Sequence, residues 1–514
     1  MTVPAPTAAA TLDLAPHPTD HAPHELDGTD YDVIVLGAGP AGENVADYVQ
    51  RGGLSAVVVE AELVGGECSY WACMPSKALL RSVEALDAAR AVAGAVQAVT
   101  GELDAAAVLE RRDSFTSSWK DDGQVEWLAG AGLPLVRGAG RLVGSRQVEV
   151  RGPEGDSVTL TARHAVVVAT GSKAALPPIE GLAEAAPWTS REATSARQAP
   201  RSLVVLGGGV VAVEMATAWS SLGAEHVTVL ERGPRLLGGV EPEAGERLAA
   251  ALVERGIDVR TGVEATAVHR GPDGRVTVQT TAGSVEGDEV LVAAGRTPRT
   301  DDIGLETVGL TPGHYLSTDD SLLVEGVAGV AGVDGVDTGW LYACGDANGR
   351  VLLTHQGKYQ ARACAMAIVA RARGEQVDPA PWTRFAATAD HRAVPQVVFT
   401  DPQVASVGLT EAQAREQGFD VRAVEYELGS VAGAALRADG YAGWAKLVVD
   451  AKTRTIVGAT FLGADVAELV HAATVAVVGE VPVDRLWHAV PSYPTINEVW
   501  LRLLDLLFSE LELR

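Results

Sequence analysis

Apolar positions along the chain fall into short runs separated by glycine turns and stretches of helical period. The first clear run is Tyr31–Leu36, a short strand followed by glycines, then by Ala41–Gln50 with helical spacing. A second apolar strand, Ser55–Val59, ends at Glu60. Strand, glycine turn, helix and strand with a terminal acid are the opening of a dinucleotide-binding βαβ unit. The plan recurs from Ser202 to Glu231: strand Leu203–Leu206, glycines, helix Val210–Leu222 and strand Val227–Leu230 closed by Glu231. Two copies predict two nucleotide-binding domains, covering 31–190 with 300–387, and 191–299.

Between the copies, Arg81–Ala129 reads as two helices. Arg141–Thr161 and Ile257–Val290 are rich in Val and Thr with Gly-Pro turns, which predicts a small antiparallel addition to each domain. From 388 to 514 the pattern changes. Strands Gln396–Thr400, Ala445–Val449 and Ile456–Leu462 mix with helices Val466–Val478 and Ile496–Leu507, an α+β domain. Residues 1–30, rich in Ala, Pro, Thr and His, are expected to form a disordered tail, with His17, His21 and His24 solvated and no metal bound.

Net charge sharpens the functional classes. The formal charge of −26 argues against nucleic acid or an anionic membrane as partner, because both would repel it. No apolar run approaches the ~18 residues of a membrane span. No signal peptide is recognisable at the start, so the cytoplasm is the expected compartment. The cysteines are few: Cys68, Cys73, Cys344 and Cys364. Two close cysteines in a long chain point to catalysis or metal binding rather than to a disulfide scaffold.

The glycines carry specific chemistry. Gly37, Gly39 and Gly42 permit in turn a tight turn, backbone approach to a pyrophosphate, and close helix–strand packing; Glu60 is placed to bind a ribose. The second unit has Gly207, Gly209 and Ala212. Alanine in the third place often accompanies NADP, whereas Glu231 would repel a 2′-phosphate and Arg232 and Arg235 would oppose that repulsion. The balance favours NADH, with NADPH as the alternative. Cys68 and Cys73 are separated by four residues, and Pro75 and the helical Ser76–Leu86 follow, so a thiol stands at a helix start where a thiolate is stabilised. A zinc site would need two further ligands, and Cys344 and Cys364 sit in unrelated contexts, better suited to small apolar fillers.

The stretch Gly65-Gly66-Glu67-Cys68-Ser69-Tyr70-Trp71-Ala72-Cys73-Met74-Pro75-Ser76-Lys77 resembles the redox motif of the flavoprotein disulfide reductases. Ala169-Thr170-Gly171-Ser172, Ala294-Gly295-Arg296-Thr297-Pro298, Tyr342-Ala343-Cys344-Gly345-Asp346 and Val394–Glu411 follow in that family's order. The resemblance implies an α/β fold of two Rossmann-like domains, for FAD and NAD(P), plus a C-terminal α+β dimerisation domain and a homodimer. Gly37, Gly39, Gly42, Glu60, Thr170, Gly171 and Asp346 would hold FAD; Gly207, Gly209, Ala212, Glu231, Arg232 and Gly295 would hold NADH or NADPH. Lys77 would pair with Glu214 beside the flavin, Cys73 would be the flavin-side thiolate, and Cys68 the thiol that exchanges with acceptor.

One element departs from the family. Its His-Pro-Thr…Glu sequence, contributed across the dimer, stands here as Tyr493-Pro494-Thr495-Ile496-Asn497-Glu498. A phenol titrating near 10 is a poor base at neutral pH, where an imidazole near 6.5 exchanges protons readily. Tyr493 at that place resembles mercuric reductase, but the chain lacks that enzyme's C-terminal cysteine pair. Bulky Tyr70 and Trp71 are expected to narrow or reshape access to Cys68. The expected acceptor is a small disulfide. A soft metal ion such as Hg(II), or a quinone reduced directly by flavin, is the alternative, and a non-enzymatic redox sensor is a more remote one.

Overall fold

The computed structural model describes residues 14–327 and 339–512, with no side-chain statement for the last two of these. The first nucleotide unit forms one mixed sheet. Its parallel part runs Leu135–Arg137, Ala56–Glu60, Asp30–Leu36, Ser157–Val168 and Leu341–Ala343, in that spatial order. The register Val33↔Ala56 through Leu36↔Val59 aligns the strand ends so that the glycine turn and Glu60 face the same edge. Ser157–Val168 serves three partners. Its first half pairs antiparallel with Gln147–Arg151, and its second half pairs parallel with Asp30–Leu36 on one side and Leu341–Ala343 on the other.

The stretches Val33–Leu36, Val57–Val59 and Ala165–Val168 are continuously apolar because both faces are covered. Val33, Val35, Val58, Ala165 and Val167 enter one core, packed under the helices Pro40–Arg51 and Thr354–Ala372. Ile34, Leu36, Val57, Val59, Val166 and Val168 enter the core on the other face. The second unit repeats the logic with four parallel strands in the order Asp258–Thr261, His226–Glu231, Ser202–Leu206 and Glu289–Val292. The ribbon Ser172–Ala174/Arg296–Pro298 joins the two domains. The last domain is a five-stranded antiparallel sheet, ordered Pro395–Val398, Gln403–Gly408, Thr455–Gly463, Trp444–Asp450 and Val421–Glu427. Among the described residues no helix is long and apolar enough to cross a membrane.

Several expectations from the sequence need correction. Residues 1–13 lie outside the described residues, but 14–30 are not a loose tail. Leu14 O accepts from Arg191, Asp20 pairs with the buried Arg137, and Arg137 N donates to His21 O at 3.0 Å. Two of these acceptors satisfy guanidinium groups of the body and the third a backbone N–H, a role that composition does not display. The three histidines take separate partners, Ala61 O, Asp20 and Asp156. The stretch after the redox motif holds three helices, Cys73–Arg90, Ala105–Phe115 and Asp122–Gly130, rather than two. Only Ala265–Gly287 of the second antiparallel addition is antiparallel; its flanks are edge strands of the parallel sheet. The Val466–Val478 segment opens with a separate 3-10 turn before helix Val470–Val478, and the final helix runs Glu498–Glu512.

Candidate active site

The glycine turn after Asp30–Leu36 is shaped by contacts that a side chain would destroy. Gly37 has φ +99°, and a Cβ there would lie 2.4 Å from Ala169 O. A Cβ on Gly42 would lie 1.9 Å from Gly37 O, so this residue sets how closely the helix approaches the strand. Gly39 is open: its nearest neighbour would be Gly66 Cα at 4.0 Å, which leaves the helix N-terminus accessible. Beyond it lies a cleft of about 550 Å³ lined by Gly37, Gly39, Glu60, Gly66, Cys68, Thr170, Gly171, Asp346 and Thr354.

This cleft fits a dinucleotide. Thr170 Oγ1 is buried and has no hydrogen-bond partner among the described residues, a polar atom left for a ligand. Glu60 accepts from Ala38 N–H (2.6 Å) and Glu62 N–H (2.8 Å), which spends part of the carboxylate on the turn and leaves lone pairs toward the cleft. Burial raises the Glu60 carboxyl, and it also raises that of Asp346, which accepts from Ser172 Oγ. Arg299 lines the same cleft and joins Glu62 (3.1 Å) and Glu67 (2.9 Å); Arg191 joins the same two acids at 2.6 Å each.

The redox loop sits directly against the glycine turn. Gly65 and Gly66 both take positive φ (+111° and +57°), and a Cβ on Gly66 would lie 2.9 Å from Gly39 Cα. Cys68 lies in the short helix Gly66–Tyr70, and Cys73 is the first residue of the helix Cys73–Arg90. Both are free thiols. Cys73 is lowered to about 6, first by the hydrogen bond from the Cys68 thiol, against the opposing effect of burial, with Thr354 and the Lys77 charge helping. Cys68 is raised by the same contact and by burial. The pair therefore holds one negative charge, on Cys73, at neutral pH.

Lys77, one turn along that helix, donates to Glu214 Oε2 at 2.7 Å. Glu214 is buried in helix Val210–Ser221, and its other oxygen accepts from Phe399 N–H at 3.0 Å. Lys77 Nζ stands 5.0 Å from the centre of the Phe399 ring. Three elements far apart in sequence thus meet at one ion pair.

Tyr70 and Trp71 do not gate Cys68. Both are buried with Leu63, and Trp71 lies under Arg191, whose guanidinium carbon is 4.0 Å from its ring centre. Tyr70 donates to Val64 O at 3.0 Å. They anchor the loop from its buried side, packed with Leu63 away from the cleft lining.

In the second unit, Gly207 has φ +112° and would place a Cβ 2.5 Å from Ala293 O; Ala212 is fully buried, while Gly209 is open. Glu231 folds back to accept from Gly233 N–H at 2.5 Å. Arg232 is exposed, and Gly295 takes φ +124° after the strand Glu289–Val292. Tyr493 is 76% exposed and, within one chain, adjoins Trp487, Val490 and Glu498 rather than the redox loop. Glu498 is buried and pairs with Arg502 at 2.7 Å, leaving Oε2 without a partner. The residue that sequence reading missed is Thr354, whose hydroxyl lies 3.4 Å from Cys73 Sγ. It stands 281 positions away, and no spacing signal links the two.

Comparison with known proteins bears on this geometry. Residues 31–370 match the family described as pyridine nucleotide-disulphide oxidoreductase, and residues 394–503 match its dimerisation domain. The chain belongs to the pyridine nucleotide-disulphide oxidoreductase family. It is an FAD-dependent oxidoreductase of the NAD(P)H-using class, with a domain built for dimerisation. Among its relatives, a dihydrolipoyl dehydrogenase of Rhizobium etli is 31% identical, with 91% of this chain and 96% of the relative covered. A mercuric reductase of Staphylococcus aureus is 29% identical, covering 94% and 83%. The fold is that of LpdA from Mycobacterium tuberculosis (TM-score 0.77, 24% identity, 93% of this chain and 100% of LpdA). It is also that of the HOCl-induced flavoprotein disulfide reductase RclA from Escherichia coli in its Cu(II) complex (TM-score 0.78, 22% identity, with the same coverage).

Proposed function

We propose that this oxidoreductase spends NADH, through FAD and the Cys68–Cys73 pair, on the reduction of a small disulfide, as a homodimer in the cytoplasm. The observation that carries the reading is the thiol pair with its single charge on Cys73, beside the cleft suited to FAD and one helical turn from the Lys77–Glu214 pair. Gly37, Gly39, Gly42, Glu60, Thr170, Gly171 and Asp346 hold the cofactor. Bound FAD supplies the two-electron relay between nicotinamide and sulfur. The Lys77–Glu214 pair keeps a cation close to Cys73 at the inner end of the path.

Cys68 Sγ bonds to one sulfur of the acceptor while the other departs as thiolate. Cys73 then attacks Cys68 Sγ, closes the Cys68–Cys73 bond and expels the second thiolate. The Cys68 proton and one from solvent complete two thiols, so NADH, H⁺ and one disulfide become NAD⁺ and two thiols. Tyr493 and Glu498 of a partner subunit would meet the departing thiolate, with the phenol as hydrogen-bond donor. NADH is favoured over NADPH because the Glu231 carboxylate, at the end of strand His226–Glu231, would repel a 2′-phosphate, against the opposing pull of Arg232 and Arg235.

Anaerobic titration with NADH and a panel of disulfides, quinones and Hg(II), run on wild type and Cys68→Ser, tests the reading. Uptake of two electron pairs with a long-wavelength thiolate–flavin band, and loss of disulfide turnover in Cys68→Ser, is the expected result. Undiminished turnover in that variant would assign the acceptor to direct flavin chemistry. Turnover with Hg(II) alone would favour the soft-metal reading, for which Tyr493 in place of histidine is the supporting feature.

A further inference from the structure

Cys73 is held from two sides. The dipole of its own helix and Lys77 act from one direction, and helix Thr354–Ala372 approaches from the other. Thr354 is the first residue of that second helix and lines the same cleft as Cys68. Its Oγ1 lies 3.4 Å from Cys73 Sγ, within the reach of a hydrogen bond to sulfur. A thiolate has no proton to give, so with the charge on Cys73 the hydroxyl is the donor.

We infer that Thr354 is a positioning residue of the redox centre, whose hydroxyl donates to the Cys73 thiolate and stabilises the charge on that sulfur. The inference rests on Cys73 being the flavin-side thiolate of the proposed function. The charged and titratable groups that face the pair are Lys77 from the Cys73 helix, Glu214 from helix Val210–Ser221, Lys358 from the Thr354 helix, and the two thiols themselves. Lys77 and Lys358 both favour a negative sulfur, but they pull on different members: Lys77 acts on Cys73 and Lys358 on Cys68. The Thr354 hydroxyl favours a negative charge on both sulfurs, but the hydrogen-bond contact it makes is to Cys73 Sγ at 3.4 Å, and a hydrogen bond to the charged form favours that form directly.

The geometry also explains why the contact needs a hydroxyl on a helix start. At that position the backbone is held by the helix, so the side chain cannot drift from the sulfur as a loop residue would. A β-branched residue is further restricted at χ1, which fixes where the oxygen points.

The test is the pH dependence of the long-wavelength thiolate–flavin band in the holoenzyme after addition of one equivalent of NADH under anaerobic conditions. Wild type, Thr354→Val and Thr354→Ser are compared, with the oxidised flavin spectrum as the check on cofactor binding. Thr354→Val is expected to raise the midpoint of the band by about one pH unit, roughly a tenfold loss of thiolate at a pH below both midpoints. Thr354→Ser is expected to restore it to within a few tenths of a unit. If Thr354→Val does not retain FAD, Thr354→Ala takes its place with the same expected shift. A wild-type band with an unchanged midpoint in the Val or Ala variant overturns the inference and leaves the proposed function standing. An equal shift in the Ser variant overturns it too, since packing rather than the hydroxyl would be responsible. Absence of the band in wild type removes the proposed role of Cys73 itself.

Discussion

The Lys77–Glu214 pair is unequal: the lysine side chain is 33% exposed and the glutamate 3%. That asymmetry predicts unequal costs of breaking it. Lys77→Met leaves a buried carboxylate whose remaining protein donor is Phe399 N–H at 3.0 Å. Stranding a buried charge costs about 3–5 kcal/mol, and the retained hydrogen bond places this case near 3. Glu214→Gln keeps an acceptor for Phe399 N–H and leaves an ammonium that can turn to solvent, so about 1 kcal/mol is expected. The double variant strands no charge and should lose about 2 kcal/mol, well short of the sum of the single losses. Several domains and a bound cofactor make a single global unfolding energy ill-defined. The measurement is therefore the thermal midpoint at fixed excess FAD and fixed scan rate. At about 2–4 °C per kcal/mol, Lys77→Met falls by about 6–12 °C and Glu214→Gln by about 2–4 °C. Equal losses, or a larger loss in the glutamine variant, would refute the burial argument.

Two further outcomes follow from other parts of the site. Trp71→Ala removes a fully buried indole beneath Arg191 and should cost about 3–5 kcal/mol in thermal stability; unchanged stability would mean that the redox loop is not anchored there. Glu43, in the helix after the glycine turn, has its carboxyl raised from 4.5 to about 7 by burial, with Lys358 opposing and Glu60 adding. An acid raised in this way favours the folded state below its unfolded value, and that stability is lost as pH rises through about 7. Glu43→Gln should therefore melt above wild type at pH 8, by about 1–2 kcal/mol after solvent screening, and the two curves should converge near pH 5. A constant offset between pH 5 and 8 would contradict the assignment.

Much of the architecture was legible because parallel strands buried on both faces cannot avoid a continuous apolar signature, as in Val33–Leu36 and Val57–Val59. Gly37 and Gly42 were equally legible, since each answers to a local steric demand that only glycine meets, and Gly39 belongs with them through the open approach it leaves to the helix N-terminus. The N-terminal segment misled for the opposite reason. Leu14, Asp20 and His21 offer a carbonyl, a carboxylate and a second carbonyl to Arg191 and Arg137, and such bonds leave no periodicity. Tyr70 and Trp71 misled because their side of a five-residue helix depends on where the loop docks, which no residue in the loop specifies.

The chain by itself determined the two nucleotide-binding units and the cysteine pair at a helix start, through local sterics and motif spacing, while the partnership of Lys77 and Glu214 came from the family resemblance. Only the tertiary structure decided which surfaces those groups share. Thr354 reaches Cys73 across 281 residues, Phe399 caps Glu214 from the last domain, and Arg191 and Arg299 gather Glu62 and Glu67 at the mouth of the cleft. Hydrogen bonds and ion pairs of this kind act over a few ångströms in space and carry no constraint on separation in sequence, so they become visible when the domains pack.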